Sequence, residues 1–156
     1  MGATWSEFDL HVGVWTIPAA RMKGGESHTV HLTPRALEII ESMLPMEQPF
    51  VFPPPVLDKK PMSNMAMLNV LRRMKFHKRT TVHGLCRATF STWAYETAAA
   101  RPDVIEACLA HKETDRIKAA YNRAQFSADR KELLFAWSRF LVGQTKSNVV
   151  SLRVAA

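Results

Sequence analysis

The stretch from Val12 to Leu32, VGVWTIPAARMKGGESHTVHL, has the pattern of two β-strands joined by a glycine-containing turn. Its first part, Val12–Ile17, is rich in β-branched and aromatic residues and is followed by a proline. Its last part, His28–Leu32, has a similar pattern, and a Gly-Gly pair lies between the two. The stretch therefore predicts a small antiparallel sheet with Lys23 at the hairpin.

The rest of the chain has helical patterns. Thr33-Pro34 predicts a helix start, because a threonine hydroxyl caps the first turn and proline suits the first helical position. Further helices are expected over residues 63–74, 83–97, 102–109, 114–123 and 127–142. The fold class is therefore mainly α with a small antiparallel β-sheet (α+β). One domain is expected over residues 1–143, followed by a flexible tail over residues 144–156.

Two of these helices carry more detailed expectations. Ser63 is expected to cap the second helix, with Leu68, Leu71 and Met74, or their neighbours, buried. Ser127 is expected to cap the last helix, which Gly143 ends. The inward face of that helix is predicted to consist of Leu133, Leu134, Trp137 and Leu141.

Charge and composition limit the functional classes. The chain has 21 basic and 14 acidic residues and a net charge of +7, which suits a nucleic acid partner but also fits a solvated surface. No apolar run approaches the roughly 18 residues of a membrane span, and the N-terminus has no signal-peptide pattern. Two cysteines, Cys86 and Cys108, do not form a disulfide framework. A cytoplasmic protein without a membrane partner is therefore expected.

Five residues along the chain have side chains suited to phosphodiester chemistry: Lys23, His83, Arg87, His111 and Tyr121. Covalent cleavage of a phosphodiester requires a nucleophile. It also requires donors around the non-bridging oxygens and an acid for the leaving 5′ oxygen. Since these side chains can supply all three without a metal, no cofactor is expected.

Five segments, in the same order and spacing, resemble those of the tyrosine recombinases, or phage-type integrases. Thr81–Glu96, TVHGLCRATFSTWAYE, resembles their His-Arg motif. Leu109-Ala110-His111 resembles their Leu-Gly/Ala-His motif. Tyr121-Asn122-Arg123 follows ten residues after His111, at the position of the family's nucleophile. Trp15–Leu32 is similar to the family's β-hairpin and Gln125–Leu141 to its closing helix, so that the resemblance covers about residues 2–142.

The resemblance implies an N-terminally truncated catalytic domain of an enzyme that performs site-specific DNA recombination. Tyr121 would attack the DNA phosphate and form a 3′-phosphotyrosyl bond. Arg87 would bind the scissile phosphate and His111 would donate a hydrogen bond to it. His83 would assist in proton transfer or phosphate contact, and Lys23 would protonate the leaving hydroxyl. Rejoining reverses the attack, so no ATP is required.

The resemblance also implies the partners. Double-stranded DNA would be the substrate, and intact relatives act as tetramers that exchange C-terminal segments. A basic run is a candidate for contact with the DNA backbone, although such a run is equally often a solvated face. It contains Arg72, Arg73, Lys75, Lys78 and Arg79.

Two departures from the family pattern are evident. The family spaces its motif as His-x-x-Arg, whereas three residues separate His83 from Arg87 here. Residues i and i+4 of a helix still share a face, and a small bulge could also absorb the extra residue. In addition, Trp5–Asp9 resembles the segment that follows the family's other phosphate-binding arginine, which would precede Met1. The chain alone is therefore expected to be inactive.

Two other interpretations remain open. The chain could be a non-catalytic DNA-binding or interaction remnant of an integrase. Alternatively, His83-x-x-Cys86 and Cys108-x-x-His111 have the spacing of zinc ligands, which would suit a zinc-stabilised DNA-binding module. Both cysteines also fit apolar helix positions, where free cysteines commonly pack.

Overall fold

The computed structural model describes residues 2–46, 48–54, 60–111 and 126–144. Its strands are β1 (Phe8–Asp9), β2 (Val14–Ile17) and β3 (His28–His31). Its α-helices are α1 (Pro34–Glu41), α2 (Ala66–Arg73), α3 (Thr89–Glu96), α4 (Pro102–Cys108) and α5 (Ser127–Leu141). A π-helical turn, Gly84–Ala88, leads into α3. The described chain is thus rich in helix with one small antiparallel sheet, as the sequence predicted.

The sheet has the strand order β1-β2-β3, and both neighbouring pairs are antiparallel. Trp15 of β2 lies opposite Phe8 of β1 and Val30 of β3. The sequence did not predict β1, which is only two residues long. The ring of Phe8 stacks on that of Trp15 at a centroid distance of 5.2 Å, so packing across the sheet, rather than a local pattern, holds this strand.

The first predicted strand begins two residues later than expected. Gly13 adopts a positive φ of 72°, a conformation that glycine tolerates without steric cost. The N–H of Val12 donates to the side chain of Asp9 at 2.9 Å, and residues 10–13 form the turn between β1 and β2. Pairing with β3 therefore begins at Val14.

A first core lies between the sheet and α1. It contains the buried side chains of Ala3, Leu32, Ile40 and Val51. Thr33 accepts a hydrogen bond from the N–H of Ala36 at 3.4 Å, and Pro34 occupies the first turn of α1. The predicted start of this helix is therefore confirmed.

A second core joins the helices that follow. Its buried members are Phe90, Ala94, Val104, Ile105 and Leu133, from α3, α4 and α5. Aromatic rings extend it, since Trp137 of α5 meets Phe90 edge-on at 5.7 Å. This core fixes the relative positions of the helices on which the candidate site is built.

Some local expectations were wrong. The helices predicted to be capped by Ser63 and Ser127 begin instead at Ala66 and at Ser127 itself. Ser63 accepts from Met65 N–H in the turn before α2. Ser127 bonds to the ring of His31 at 3.0 Å. Both hydroxyls therefore serve contacts other than the predicted helix caps.

Two side chains predicted to be buried are exposed. Leu141, near the end of α5, is 62% exposed, and Met74, after α2, is 57% exposed. Both lie at helix ends. Gly143 has a φ of 71°, and α5 ends before it as expected.

The sheet docks on the helical core through β3. The guanidinium of Arg130, on α5, donates to the carbonyl of Thr29, and the ring of His31 bonds to the Ser127 hydroxyl. The β2–β3 hairpin is therefore held against the start of α5 and the end of α4. None of the described helices is long and apolar enough to cross a membrane.

Candidate active site

The nucleophile predicted from the sequence, Tyr121, lies outside the described residues, as do the helix predicted over residues 114–123 and the tail over residues 145–156. The other four predicted catalytic residues, Lys23, His83, Arg87 and His111, are described. What the structure contributes is therefore their arrangement.

Arg87 lies in the π-helical turn that precedes α3. Its side chain is partly buried, and one guanidinium nitrogen donates to the carbonyl of Leu109 at 3.4 Å. Leu109 follows α4 and is two residues before His111. The end of α4 and the start of α3 thus bring Arg87 and His111 to the same place, although 24 positions separate them in the sequence.

His111 is positioned by the way α4 ends. Ala110 adopts a φ of 54°, and the N–H groups of Ala110 and His111 donate to the carbonyls of Ala107 and Glu106, respectively. These two bonds form a Schellman motif, in which the residue with positive φ is usually glycine. The Leu-Ala-His sequence therefore has a structural role: its middle residue reverses the chain so that the histidine folds back over the helix end.

Glu106 connects the residues of this site. One carboxylate oxygen accepts the hydroxyl of Tyr95 at 2.8 Å, and the other bonds to Nδ1 of His111. The charge of Arg87 also acts on this carboxylate. Burial alone would raise the pKa of Glu106, but the bonds from His111 and Tyr95 and the charge of Arg87 hold that pKa below its usual value.

Tyr95 is the second tyrosine of the chain and lies beside the same carboxylate. Its bond to Glu106, then burial, then the negative charge of Glu106 raise the pKa of Tyr95. A phenol with a raised pKa is a poorer nucleophile, because less of it is phenolate. The arrangement thus favours Tyr95 as a hydrogen-bond donor to Glu106. No sequence motif predicted a function for Tyr95 or Glu106.

The extra residue between His83 and Arg87 is accommodated by the π-helical turn. The N–H of Thr89 donates to the carbonyl of Gly84, five residues earlier, rather than four. With about 4.4 residues per π turn, four residues rotate by about 330°. Three residues of an α-helix rotate by about 300° and four by about 400°. The turn therefore gives the His83–Arg87 pair nearly the angular offset of a His-x-x-Arg pair on an α-helix.

Gly84 fits closely at the start of this turn. Its N–H donates to the Thr81 hydroxyl at 2.9 Å. A Cβ added at Gly84 would lie 3.0 Å from the Thr80 hydroxyl oxygen and 3.2 Å from that of Thr81. His83, immediately before it, is exposed, and no hydrogen bond or ion pair joins it to Arg87 within the residues described.

Lys23 is exposed on the β2–β3 hairpin, in a turn closed by the bond from Gly25 N–H to the Met22 carbonyl at 3.0 Å. No described hydrogen bond or ion pair joins Lys23 to Arg87 or His111. Near the start of the hairpin, Arg21 forms an ion pair with Glu7 at 2.8 Å. At its other end, the His28 side chain interacts with the main chain of Cys108. The loop end of this hairpin is thus next to the end of α4, which His111 follows.

A cluster that the sequence did not predict lies where β3 meets α5. Burial, followed by the charge of Arg130, lowers the pKa of His28, while the main-chain hydrogen bond with Cys108 opposes this. Burial and the charges of Arg130 and Lys131 likewise lower the pKa of His31, against its bond with Ser127. Arg130 is only 6% exposed. The burial of a single arginine in an amphipathic helix cannot be predicted from the local sequence pattern.

The basic run and the candidate zinc ligands are less informative. All five side chains of the run, Arg72, Arg73, Lys75, Lys78 and Arg79, are exposed.

In the described part of the chain, no group of three or more histidine, cysteine or acidic side chains could hold a metal ion. Cys86 is exposed, whereas Cys108 packs against the helical core. The geometry therefore gives the zinc interpretation no support.

Comparison with known proteins gives a consistent result. Residues 1–128 match the phage integrase family. The chain is 35% identical to the prophage integrase IntA of Escherichia coli K12, over 95% of the chain and 36% of that protein. It is 30% identical to the integrase of Shigella phage Sf6, over 88% of the chain and 36% of that protein. No solved structure matches. The chain thus spans just over a third of the length of these curated relatives.

Proposed function

The chain belongs to the phage integrase family, and we propose that it contributes most of the catalytic site of a site-specific DNA recombinase. The reaction is a transesterification through Tyr121. One observation carries the proposal: Arg87 donates to the carbonyl of Leu109, two residues before His111, and this end of α4 lies beside His28, which adjoins the hairpin loop that holds Lys23.

The chemistry follows from the side chains. The Tyr121 hydroxyl gives up its proton, to His83 or to solvent, as its oxygen attacks the phosphorus. The bond from phosphorus to the 5′ oxygen breaks, and the leaving oxygen takes a proton from Lys23. Arg87 and His111 neutralise the negative charge that develops on the non-bridging oxygens. His83 assists at the phosphate or in proton transfer. The reverse attack by a 5′ hydroxyl releases Tyr121, so the reaction balances without a metal or ATP.

Double-stranded DNA is the proposed substrate, and the exposed basic run at the end of α2 and just after it is the proposed contact with its backbone. The active assembly is proposed to be a tetramer on DNA, formed by the longer protein. Phosphate contacts carry no sequence information, so the 156 residues are expected to bind DNA weakly and with little sequence preference.

These 156 residues alone are proposed to be inactive. Arg21 is paired with Glu7, and we propose that it does not serve as the family's second phosphate-binding arginine. The absence of one preorganised donor typically lowers the rate about 100- to 1000-fold. The absence of DNA-clamping domains lowers it further, because the substrate is less well positioned.

A nicked suicide substrate, which traps the covalent intermediate, tests this function. A longer integrase that carries these residues should form a denaturant-resistant protein–DNA adduct, and the 156-residue chain should not. Arg87→Ala in the longer protein should reduce adduct formation at least about 100-fold, while Arg35→Ala, on the exposed surface of α1, should not. Efficient adduct formation by the Arg87→Ala variant would refute the proposed role of Arg87.

The alternative of a non-catalytic remnant predicts a different result. In that case the longer protein would bind DNA and form no adduct under any condition. The bond from Arg87 to the carbonyl of Leu109, two residues before His111, favours the catalytic proposal, because DNA binding alone does not require these two side chains to be brought together.

A further inference from the structure

Glu106 bonds to one of the two ring nitrogens of His111. Nδ1 of the ring is paired with the Glu106 carboxylate, and Nε2 lies on the opposite edge of the ring. The main chain reinforces the pairing, since the N–H of His111 donates to the carbonyl of Glu106 at 3.1 Å. One bond from the side chain and one from the main chain of His111 therefore hold the imidazole beside Glu106.

The state of the carboxylate determines which ring nitrogen carries hydrogen. The lowered pKa of Glu106 keeps it ionised at neutral pH, and an ionised carboxylate only accepts hydrogen bonds. Its other oxygen is already occupied by the hydroxyl of Tyr95. Nδ1 of His111 must therefore be the donor in its bond to Glu106.

We propose that Glu106 is a positioning residue that fixes His111 in the form with hydrogen on Nδ1. Nε2 then carries a proton only when the ring is an imidazolium. This inference rests on the proposed function: His111 can donate to a phosphate oxygen only in its charged form, and its neutral form presents a lone pair there. A phosphate is thus met by a cation rather than by a neutral donor, and charge-assisted bonds are the stronger kind.

The surrounding groups are consistent with this role. Arg87, from the π-helical turn, adds its positive charge near the carboxylate, and Tyr95, from α3, donates to it. Glu106 therefore places a negative charge next to the ring of His111 and near the guanidinium of Arg87. Tyr95 holds the carboxylate oxygen that His111 does not use, which keeps the acceptor in place.

The tautomer can be measured directly on the 156-residue chain, labelled with ¹⁵N in its histidines. Long-range proton–nitrogen correlation spectra at a pH where the ring is neutral distinguish a protonated nitrogen from a bare one. We expect Nδ1 of His111 to be protonated and Nε2 bare. In Glu106→Gln, whose amide can donate as well as accept, the two signals should shift toward the form with hydrogen on Nε2.

Tyr95→Phe is the matched control. It removes the other bond to the same carboxylate but keeps the ionised acceptor that determines the tautomer, so the tautomer of His111 should be unchanged. Wild-type protein with hydrogen on Nε2 would overturn the inference, as would a Glu106→Gln variant with unaltered signals. The wild-type spectrum decides the matter even if a variant fails to fold. Since no DNA is present, this result is independent of whether the adduct assay supports the proposed recombinase.

Discussion

The main-chain N–H of His111 donates to the carbonyl of Glu106 at 3.1 Å across an alanine, Ala110, with a φ of 54°. A side chain with a Cβ is strained in this left-handed conformation, whereas glycine is not. The same arrangement recurs after α3, where Ala98 has a φ of 48° and the N–H of Ala99 donates to the carbonyl of Ala94. Two helices of this chain therefore end on strained alanines.

Ala110→Gly should stabilise the protein. The substitution relieves the strain at the end of α4, and we expect the free energy of unfolding to rise by about 0.5–1 kcal/mol in urea titrations. Ala98→Gly should behave similarly. The control is Ala107→Gly, within α4, which should lower the same quantity by about 0.5–1 kcal/mol. If the substitutions at Ala110 and Ala107 changed the free energy of unfolding in the same direction, the assigned helix end would be contradicted.

Deletion of Cys86 should be tolerated. Removing one residue from the π-helical turn converts it into a regular α-helical turn, while Phe90 and Ala94 keep their places in the core. We expect the free energy of unfolding to change by no more than about 1 kcal/mol. Deletion of Thr92 is the control. It lies between Phe90 and Ala94 in a regular helix, and its removal turns one of them out of the core at a cost of several kcal/mol.

The junction between β3 and α5 should make the fold sensitive to acid. The pKa of both His28 and His31 is lowered in the folded state, so the unfolded chain takes up protons first as the pH falls. The free energy of unfolding is therefore highest above about pH 6.5 and decreases below it. Urea titrations at several pH values should show a smaller decrease for the His28→Gln, His31→Gln double variant. If the free energy of unfolding of the double variant decreased with falling pH as steeply as that of the wild type, this assignment would be contradicted.

DNA binding by the chain should depend strongly on salt. Each phosphate that a basic side chain neutralises adds about 0.9 to the magnitude of the slope of log affinity against log salt. Lys75→Gln with Lys78→Gln should therefore reduce the magnitude of that slope by about 2. Arg35→Gln, on α1, should leave it unchanged. An affinity that is flat between low and moderate salt would show that the exposed basic run has no part in binding.

Local chemistry allowed parts of this fold to be predicted. Thr33 and Pro34 start α1 as expected because a cap and an N1 proline act within one turn. The hairpin that carries Lys23 follows from alternation and a glycine pair. Ser127 did not cap α5 because the fold brings His31 to its hydroxyl. Such a partner, 96 residues away in sequence, leaves no local pattern.

The candidate site shows the same division. Resemblance to a family was enough to single out Arg87 and His111. The role of Glu106 could not be read in advance, because it depends on α3, α4 and the π-helical turn meeting at one carboxylate. A glutamate five residues before a histidine, at a helix end, is the one signal that the sequence offers. The spacing becomes informative only when the positive φ of Ala110 is known, because this conformation brings His111 back towards Glu106.

The central claim is the identity of the nucleophile. It is tested most directly by identifying the residue to which the DNA becomes attached. The adduct from the suicide substrate can be digested, and the peptide that retains a nucleotide can be identified by mass spectrometry. We predict that the nucleotide is attached to Tyr121, that Tyr121→Phe abolishes the adduct and that Tyr95→Phe leaves an adduct on Tyr121. A nucleotide on Tyr95, or an adduct that persists in Tyr121→Phe, would contradict the account.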